Sequence, residues 1–121
     1  MLKRTRIKVC GITKPEQAAN AVELGVDAIG VILHANSPRA ISLEQAMEIR
    51  QVVPAFVSLV GVFVNAKEAL IEQAICELKL DIIQLHGDES NAFGKALSRP
   101  FIKAIRVKNA KQVQCDIQNY P

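Results

Sequence analysis

The stretch IKVCGITKPE, residues 7–16, decides the fold, because it joins a short β-branched run to the start of a helix through a glycine. Thr13 can cap the helix, Pro15 suits its first turn, and Glu16 completes a capping box. Gly25 then ends the helix. This part of the sequence therefore predicts one β-strand followed by one α-helix.

The same order of strand and helix recurs about every 20 to 30 residues along the chain. Ser42 and Gln45 form a second capping box, and Pro54 breaks the helix that follows it. Strands that are separated by helices pair in parallel through right-handed crossovers. The predicted strands are 7–10, 28–33, 57–64, 81–85 and 101–107, and the predicted helices after the first are 42–53, 66–79, 88–98 and 110–118.

Two architectures share this pattern, an open doubly wound sheet and an eight-unit barrel, and five units could complete only the first. Side-chain parity favours the barrel, because Lys8 and Cys10 share one strand face, and Gln84 and His86 share another. A central strand of a doubly wound sheet should instead be apolar on both faces. The open sheet also lacks a glycine-rich phosphate loop.

We therefore predict an α/β protein built from parallel βα units of a TIM-type (βα)8 barrel, with about five of the eight units present and the barrel incomplete. A single domain, 1–121, is expected from the length. Polar residues stand where the strands end, at the rim that carries the active site in such barrels. They are Cys10, His34, Asn65, His86 and Arg106, whereas Ile7, Val9, Ile83 and Leu85 are expected to pack outward on helices.

Composition argues against several classes of function. Hydrophobic residues make up 50% of the 121 residues and charged residues 22%, which is typical of a globular protein. The 15 basic residues are spread along the chain, and one Tyr and four Phe offer little stacking surface, so no nucleic-acid partner is expected. The longest apolar stretch, 57–64, is far below the roughly 20 residues that cross a bilayer, so no membrane association is expected.

The three cysteines, Cys10, Cys76 and Cys115, are odd in number and show no C-x-x-C spacing. This pattern predicts neither a disulfide framework nor a zinc site. Cys76 and Cys115 fall inside predicted helices and are expected to be packing residues. A reducing cytoplasm is the expected location.

Cys10 is the first candidate for chemistry. Gly11 lets a ligand approach the backbone, and the start of the next helix favours a negative charge nearby. Lys8 lies about 6 to 7 Å back along the strand, and its ammonium would lower the pKa of the thiol. The alternative is that Cys10 is a small buried hydrophobe, as most free cysteines are, and spacing alone favours that alternative.

Two further residues could contact a ligand. Arg39 offers a planar donor fork for a carboxylate or phosphate, although a loop arginine is more often solvated. His86, beside Gly87, could donate to a substrate or bond a neighbouring carbonyl. Asp88 and Glu89 stand where a helix begins, so capping explains them.

Five motifs run in order over nearly the whole chain: KVCGIT (8–13), GVDAIG (25–30) with SPR (37–39), VGVFVN (60–65), IQLHGDE (83–89) and KAIRV (103–107). In these motifs the chain resembles the phosphoribosylanthranilate isomerase family of tryptophan biosynthesis. The resemblance implies an enzyme, an isomerase of the aldose-ketose type. It would convert N-(5-phosphoribosyl)anthranilate to 1-(2-carboxyphenylamino)-1-deoxyribulose 5-phosphate by an Amadori rearrangement, with no metal or cofactor.

The resemblance also implies roles for individual residues. Cys10 is the general base, Arg39 holds the anthranilate carboxylate and His86 lines the pocket, with Lys8 and Gly11 as further substrate-binding residues. The general acid of the family is an aspartate at the end of strand six, and its phosphate site follows strands seven and eight. None of those segments occurs here, and Asp116, in the last predicted helix, does not take the acid role.

A barrel with three units missing would leave two strand edges unpaired and an apolar inner face open to water. We therefore do not expect a lone soluble monomer, and because the general acid and the phosphate site are missing, we expect the chain alone to be inactive. It is either a fragment of a normal enzyme, which is favoured, or a truncated product, or one half of an assembly. The alternative function is a non-catalytic half-barrel that self-associates through its strand edges.

Overall fold

The computed structural model describes residues 3–120, so Met1, Leu2 and Pro121, at the ends of the predicted domain 1–121, lie outside the described residues. Within them, five strands alternate with five helices, as predicted. The strands are β1 (Lys8–Val9), β2 (Ala28–Ile32), β3 (Ser58–Phe63), β4 (Ile82–Leu85) and β5 (Phe101–Lys103). The helices are α1 (Pro15–Glu23), α2 (Leu43–Val52), α3 (Glu68–Leu78), α4 (Asn91–Lys95) and α5 (Ala110–Gln118).

All strand pairs are parallel and follow chain order, β1-β2-β3-β4-β5, which confirms the parallel α/β prediction. Across residues 3–120 the sheet is not closed, because β1 pairs only with β2 and β5 only with β4. The carboxyl ends of the five strands therefore lie along one rim, on which the loops to the following helices meet.

Capping explains where two of the helices begin. Ser42 Oγ accepts the Gln45 N–H at 3.1 Å and Gln45 Oε1 accepts the Ser42 N–H at 2.9 Å, which confirms that capping box. The box predicted for α1 is wrong by one residue. Lys14 is the N-cap, and Gln17 rather than Glu16 reaches back, its Oε1 accepting the Thr13 N–H at 2.9 Å.

The core lies between the outer face of the sheet and the helices. Val9 packs against this core, and Ile83 and Leu85 are fully buried in it, as predicted. Ile7 is 52% exposed, contrary to prediction, because it precedes the paired part of an edge strand. Helix residues that complete this core include Ala18, Ala46, Ile49, Ile71 and Ala74.

The inner face is less open than expected. Val60 and Val62 are buried, at 0% and 4% exposure, although Ile102 on β5 is 47% exposed. Lys8 Nζ donates to Gln84 Oε1 across this face, from β1 to β4. The curvature of the sheet thus brings polar side chains of distant strands together over its apolar centre.

Two aspartates hold the opposite, amino-terminal rim of the sheet. Asp27, just before β2, accepts the Ile7 N–H at 2.8 Å and pairs with Arg4 at 2.6 Å. The hydrogen bond from Arg4, together with that from Ile7, lowers the pKa of Asp27 to about 2. Asp81, just before β4, accepts the Leu59 N–H at 2.8 Å in the same way.

Among residues 3–120, no helix has the length and apolar character to span a membrane.

Candidate active site

The structure brings Cys10, Gly11 and Arg39 together at the carboxyl end of β1. Cys10 is half-buried, and a Cβ added to Gly30 on β2 would lie 3.0 Å from its Sγ. The Ile12 N–H donates to the Gly30 carbonyl at 3.1 Å and holds the loop after β1 against β2. The thiol therefore lies against a strand that has no side chain at the point of contact.

Gly11 and Arg39 are matched to each other. Gly11 has φ +78°, a left-handed conformation that side chains rarely adopt, and an added Cβ would lie 2.4 Å from Arg39 Nη1. The Arg39 loop is tied to the end of β2, where the Ile41 N–H donates to the Ile32 carbonyl at 3.0 Å. The guanidinium therefore rests on the backbone next to Cys10, and only glycine allows that approach.

Lys8 lies below these residues on the inner face. It is half-buried, and its ammonium donates to Gln84 rather than projecting freely from the strand. Its predicted effect on the thiol of Cys10 stays a prediction.

His86 lies on a different part of the rim. Its backbone N–H donates to the Phe63 carbonyl at 2.9 Å, and its exposed side chain lines a cleft of about 480 Å³ between the ends of β3 to β5 and helix α5. Arg106, Asp116 and Tyr120 line the same cleft, whereas Cys10 and Arg39 do not. Four of the five predicted site residues thus share one rim, with Cys10, Gly11 and Arg39 in one group and His86 apart from them, whereas Lys8 lies below on the inner face.

Glu89 is the polar residue whose position the sequence interpretation missed. Ser90 caps α4, its Oγ accepting the Phe93 N–H at 3.0 Å, so the capping explanation for Asp88 and Glu89 is wrong. The Glu89 side chain is only 3% exposed and pairs with Lys103 Nζ at 3.1 Å. Burial alone would raise the pKa of Glu89, but hydrogen bonds from backbone amides and from Lys103 hold it below its ordinary value.

The alternation of side chains along β5 indicates a buried partner for Lys103. Lys103 stands opposite Leu85 in the sheet, so it occupies a helix-facing position where an apolar residue is the rule. Such a lysine requires a buried partner.

Other predictions about polar residues are also resolved. The ring of His34 stacks on Phe63, with centroids 6.1 Å apart. Cys76 and Cys115 are exposed, so the prediction that they pack in the core is wrong. Among residues 3–120 there is no cluster of three or more His, Cys, Asp or Glu side chains that could hold a metal ion.

Comparison with known proteins identifies relatives over the whole described region. A family model described as N-(5'-phosphoribosyl)anthranilate (PRA) isomerase matches residues 7–120. The N-(5'-phosphoribosyl)anthranilate isomerase of Neisseria gonorrhoeae is 42% identical over 120 residues, covering 99% of this chain and 58% of that protein. That of Pseudomonas fluorescens is also 42% identical, covering 99% and 59%.

Solved structures of the same family of isomerases are also similar to this chain. Phosphoribosyl anthranilate isomerase from Thermotoga maritima is similar with a TM-score of 0.91 and 36% identity, covering 95% of this chain and 57% of that one. A phosphoribosyl anthranilate isomerase in complex with reduced 1-(o-carboxyphenylamino)-1-deoxyribulose 5-phosphate has a TM-score of 0.90 and 36% identity, covering 95% and 60%.

This chain therefore spans 57% to 60% of the length of these four relatives. Because the family model takes in nearly every described residue, the chain belongs to the N-(5'-phosphoribosyl)anthranilate isomerase family.

Proposed function

We propose that this chain supplies the general base and the carboxylate-binding part of an N-(5'-phosphoribosyl)anthranilate isomerase of tryptophan biosynthesis. The observation that carries the proposal is the contact between Gly11 and Arg39 immediately beside Cys10, at the carboxyl end of a parallel strand. In barrels of this type, that rim is where substrates bind.

The proposed chemistry is an Amadori rearrangement in which an acid and a base act in turn. An acid protonates the ring oxygen of the ribose, the sugar opens to an iminium, and a base removes the proton at C2. The enolamine then relaxes to the ketone. Cys10 acts as the base, because a thiolate can accept a proton from carbon near neutral pH and half-burial shields it from bulk water.

The other site residues bind the substrate. Arg39 presents a fork of N–H donors that can pair with both oxygens of the anthranilate carboxylate. Gly11 allows that fork to lie on the backbone beside Cys10. Lys8 adds positive charge from the inner face, and His86, which lines the neighbouring cleft, bounds the substrate on the side of β4.

We further propose that residues 1–121 form one domain, equivalent to five units of a (βα)8 barrel, and that turnover requires the remaining units. This is supported by the open sheet and by the share of the relatives that the chain spans. The general acid and the phosphate site would come from those units, so the 121-residue chain by itself is inactive.

The test is to assay the 121-residue chain alone and together with the part of the Neisseria gonorrhoeae isomerase outside the matched region. The proposal expects background conversion of phosphoribosylanthranilate by the chain alone, and turnover by the mixture that Cys10→Ser removes. Turnover by the chain alone would refute its inactivity. Full turnover by the mixture with Cys10→Ser would refute the role of the thiol.

The second candidate is a half-barrel that self-associates, and the unpaired edge of β5 favours it. Ile102 on that edge is 47% exposed, and Val107, in the segment between β5 and α5, is 74% exposed. Light scattering should then show a dimer or larger species, which Ile102→Lys reduces and Met47→Lys, on the exposed side of α2, does not. A monomer of the unaltered chain would contradict this candidate.

The cytoplasm is the proposed location. Three free thiols, two of them exposed, suit a reducing compartment.

A further inference from the structure

We propose that Glu89 is a positioning residue for the candidate active site: its buried carboxylate fixes the loops after β3 and β4 against β5 and so sets the place of His86. The functional importance of the His86 position rests on the proposed function, whereas the contacts of Glu89 do not.

One carboxylate joins three strand ends. Glu89 Oε2 accepts the Asn65 N–H at 2.8 Å, from the loop after β3, and Oε1 accepts the Gly87 N–H at 2.9 Å, from the loop after β4. Lys103 Nζ, on β5, donates both to Oε1 at 3.1 Å and to the Gly87 carbonyl. Moving any one of these loops would therefore break bonds to the others.

Burial makes this arrangement costly to rearrange. The side chains of Lys103 and Glu89 are 8% and 3% exposed. A buried ion pair adds little stability compared with an apolar pair of similar size, but removing one partner leaves an uncompensated charge. The pair is therefore better explained by the single loop arrangement that it enforces than by a gain in stability.

Asn65, one of the residues that Glu89 contacts, also bonds the loop after β4 through its own side chain. Asn65 has φ +52°, in the left-handed region, and its Oδ1 accepts the Asp88 N–H at 2.8 Å. A Cβ added to Gly87 would lie 2.5 Å from that same Oδ1. The two loops are thus held together through the Asn65 side chain as well as through Glu89.

His86 is the residue whose position depends on the hydrogen bonds of Glu89. It directly precedes Gly87, and its own N–H donates to the Phe63 carbonyl at the end of β3. Its backbone is therefore fixed on one side by the sheet and on the other by the Glu89 carboxylate, so the direction of its ring into the cleft depends on both.

The experiment compares Glu89→Gln with the matched control Glu72→Gln by NMR of the full chain. Glu72 also uses a carboxylate to hold backbone, accepting the Ser98 N–H at 2.8 Å, but in the connection that leads into β5 at the opposite rim. The chain has two histidines, so His34→Asn assigns the His86 ring resonances.

Glu89→Gln should shift the His86 ring resonances and speed amide exchange at Asn65 and Gly87 about tenfold, with exchange in β3 unchanged. Glu72→Gln should leave all of these as they are. Unchanged His86 resonances in a folded Glu89→Gln chain, or equal changes in both variants, would overturn the proposal.

If Glu89→Gln does not fold, the double variant Glu89→Gln/Lys103→Met removes the unpaired ammonium, and the same readouts decide. Binding of reduced 1-(o-carboxyphenylamino)-1-deoxyribulose 5-phosphate is measured in parallel, in the mixture of this chain with the remaining part of the Neisseria gonorrhoeae isomerase, and should weaken in Glu89→Gln only. If that mixture with the unaltered chain does not bind this compound while the His86 shift still occurs, the proposed function is wrong and the positioning role stands.

Discussion

The two rims of the sheet use carboxylates in different ways. At the amino-terminal rim, Asp27 pairs with an Arg4 side chain that is 67% exposed. At the carboxyl rim, Glu89 and Lys103 are almost completely buried. Exposed pairs contribute little and are screened by salt, whereas a buried pair tolerates no loss of a partner. The aspartates of the first rim accept N–H groups from a neighbouring strand or the segment leading into it, and Glu89 at the second rim accepts N–H groups from two loops.

The largest expected effect is on catalysis at the carboxyl rim. In the mixture of this chain with the remaining part of the Neisseria gonorrhoeae isomerase, Cys10→Ser should lower kcat by about 10² to 10⁴. The reason is that a hydroxyl is a far weaker base than a thiolate near neutral pH. Cys76→Ser, on the exposed side of α3, is the matched control and should leave kcat unchanged. Equal losses in both variants would mean that Cys10 has no special role.

The next effect distinguishes the two rims by stability. Lys103→Met leaves the Glu89 carboxylate buried without its partner and should lower the free energy of unfolding by about 3 to 5 kcal/mol in urea denaturation. Arg4→Met, at the exposed pair, should lower the free energy of unfolding far less, because solvent and salt screen that pair. Similar losses at both sites would remove the contrast between the rims.

A smaller effect is expected at the glycine beneath Arg39. Gly11→Ala should cost about 1 to 3 kcal/mol of stability, because its φ of +78° is unfavourable with a Cβ, and it should also raise KM by displacing Arg39. Gly25→Ala is the control, since its φ is +91° but an added Cβ would meet nothing within 4 Å. A KM increase shared by both variants would count against the role of Arg39.

The smallest effect depends on pH and belongs to the amino-terminal rim. The folded pKa of Asp27 is about 2, below its ordinary value of 3.8, so its contribution is present above about pH 4 and is lost as the pH falls toward 2. Asp27→Asn should therefore flatten the acid side of a plot of unfolding free energy against pH. A curve with unchanged slope would show that Asp27 has no such linkage.

Local patterns were enough to predict the alternation of strands and helices and the grouping of polar residues at one rim. The apolar run 57–64 predicts a strand, and Ser42 with Gln45 predicts a helix start, from residues that are close together in the sequence. Helix α4 is shorter than predicted, and the buried Gly94 within it packs closely on β5, where an added Cβ would lie 2.5 Å from the Phe101 ring.

The contacts that organise the site were not predictable in the same way. Lys8 meets Gln84 across 76 residues, which depends on the curvature of the sheet between β1 and β4. Asn65 meets Glu89 across 24 residues, which depends on the pairing of β3 with β4. The neighbours of Glu89 in sequence indicate a cap, whereas its partners Asn65 and Lys103 lie on other parts of the chain. The roles of Cys10, Arg39 and His86 came from the family resemblance and remain predictions.

The most direct test of the account is an NMR titration of the labelled chain with reduced 1-(o-carboxyphenylamino)-1-deoxyribulose 5-phosphate. The account predicts chemical-shift changes at Cys10, Gly11 and the Arg39 side chain, with no change at Arg4, Asp27 or Asp81. Changes confined to the amino-terminal rim, or none at saturating ligand, would contradict it.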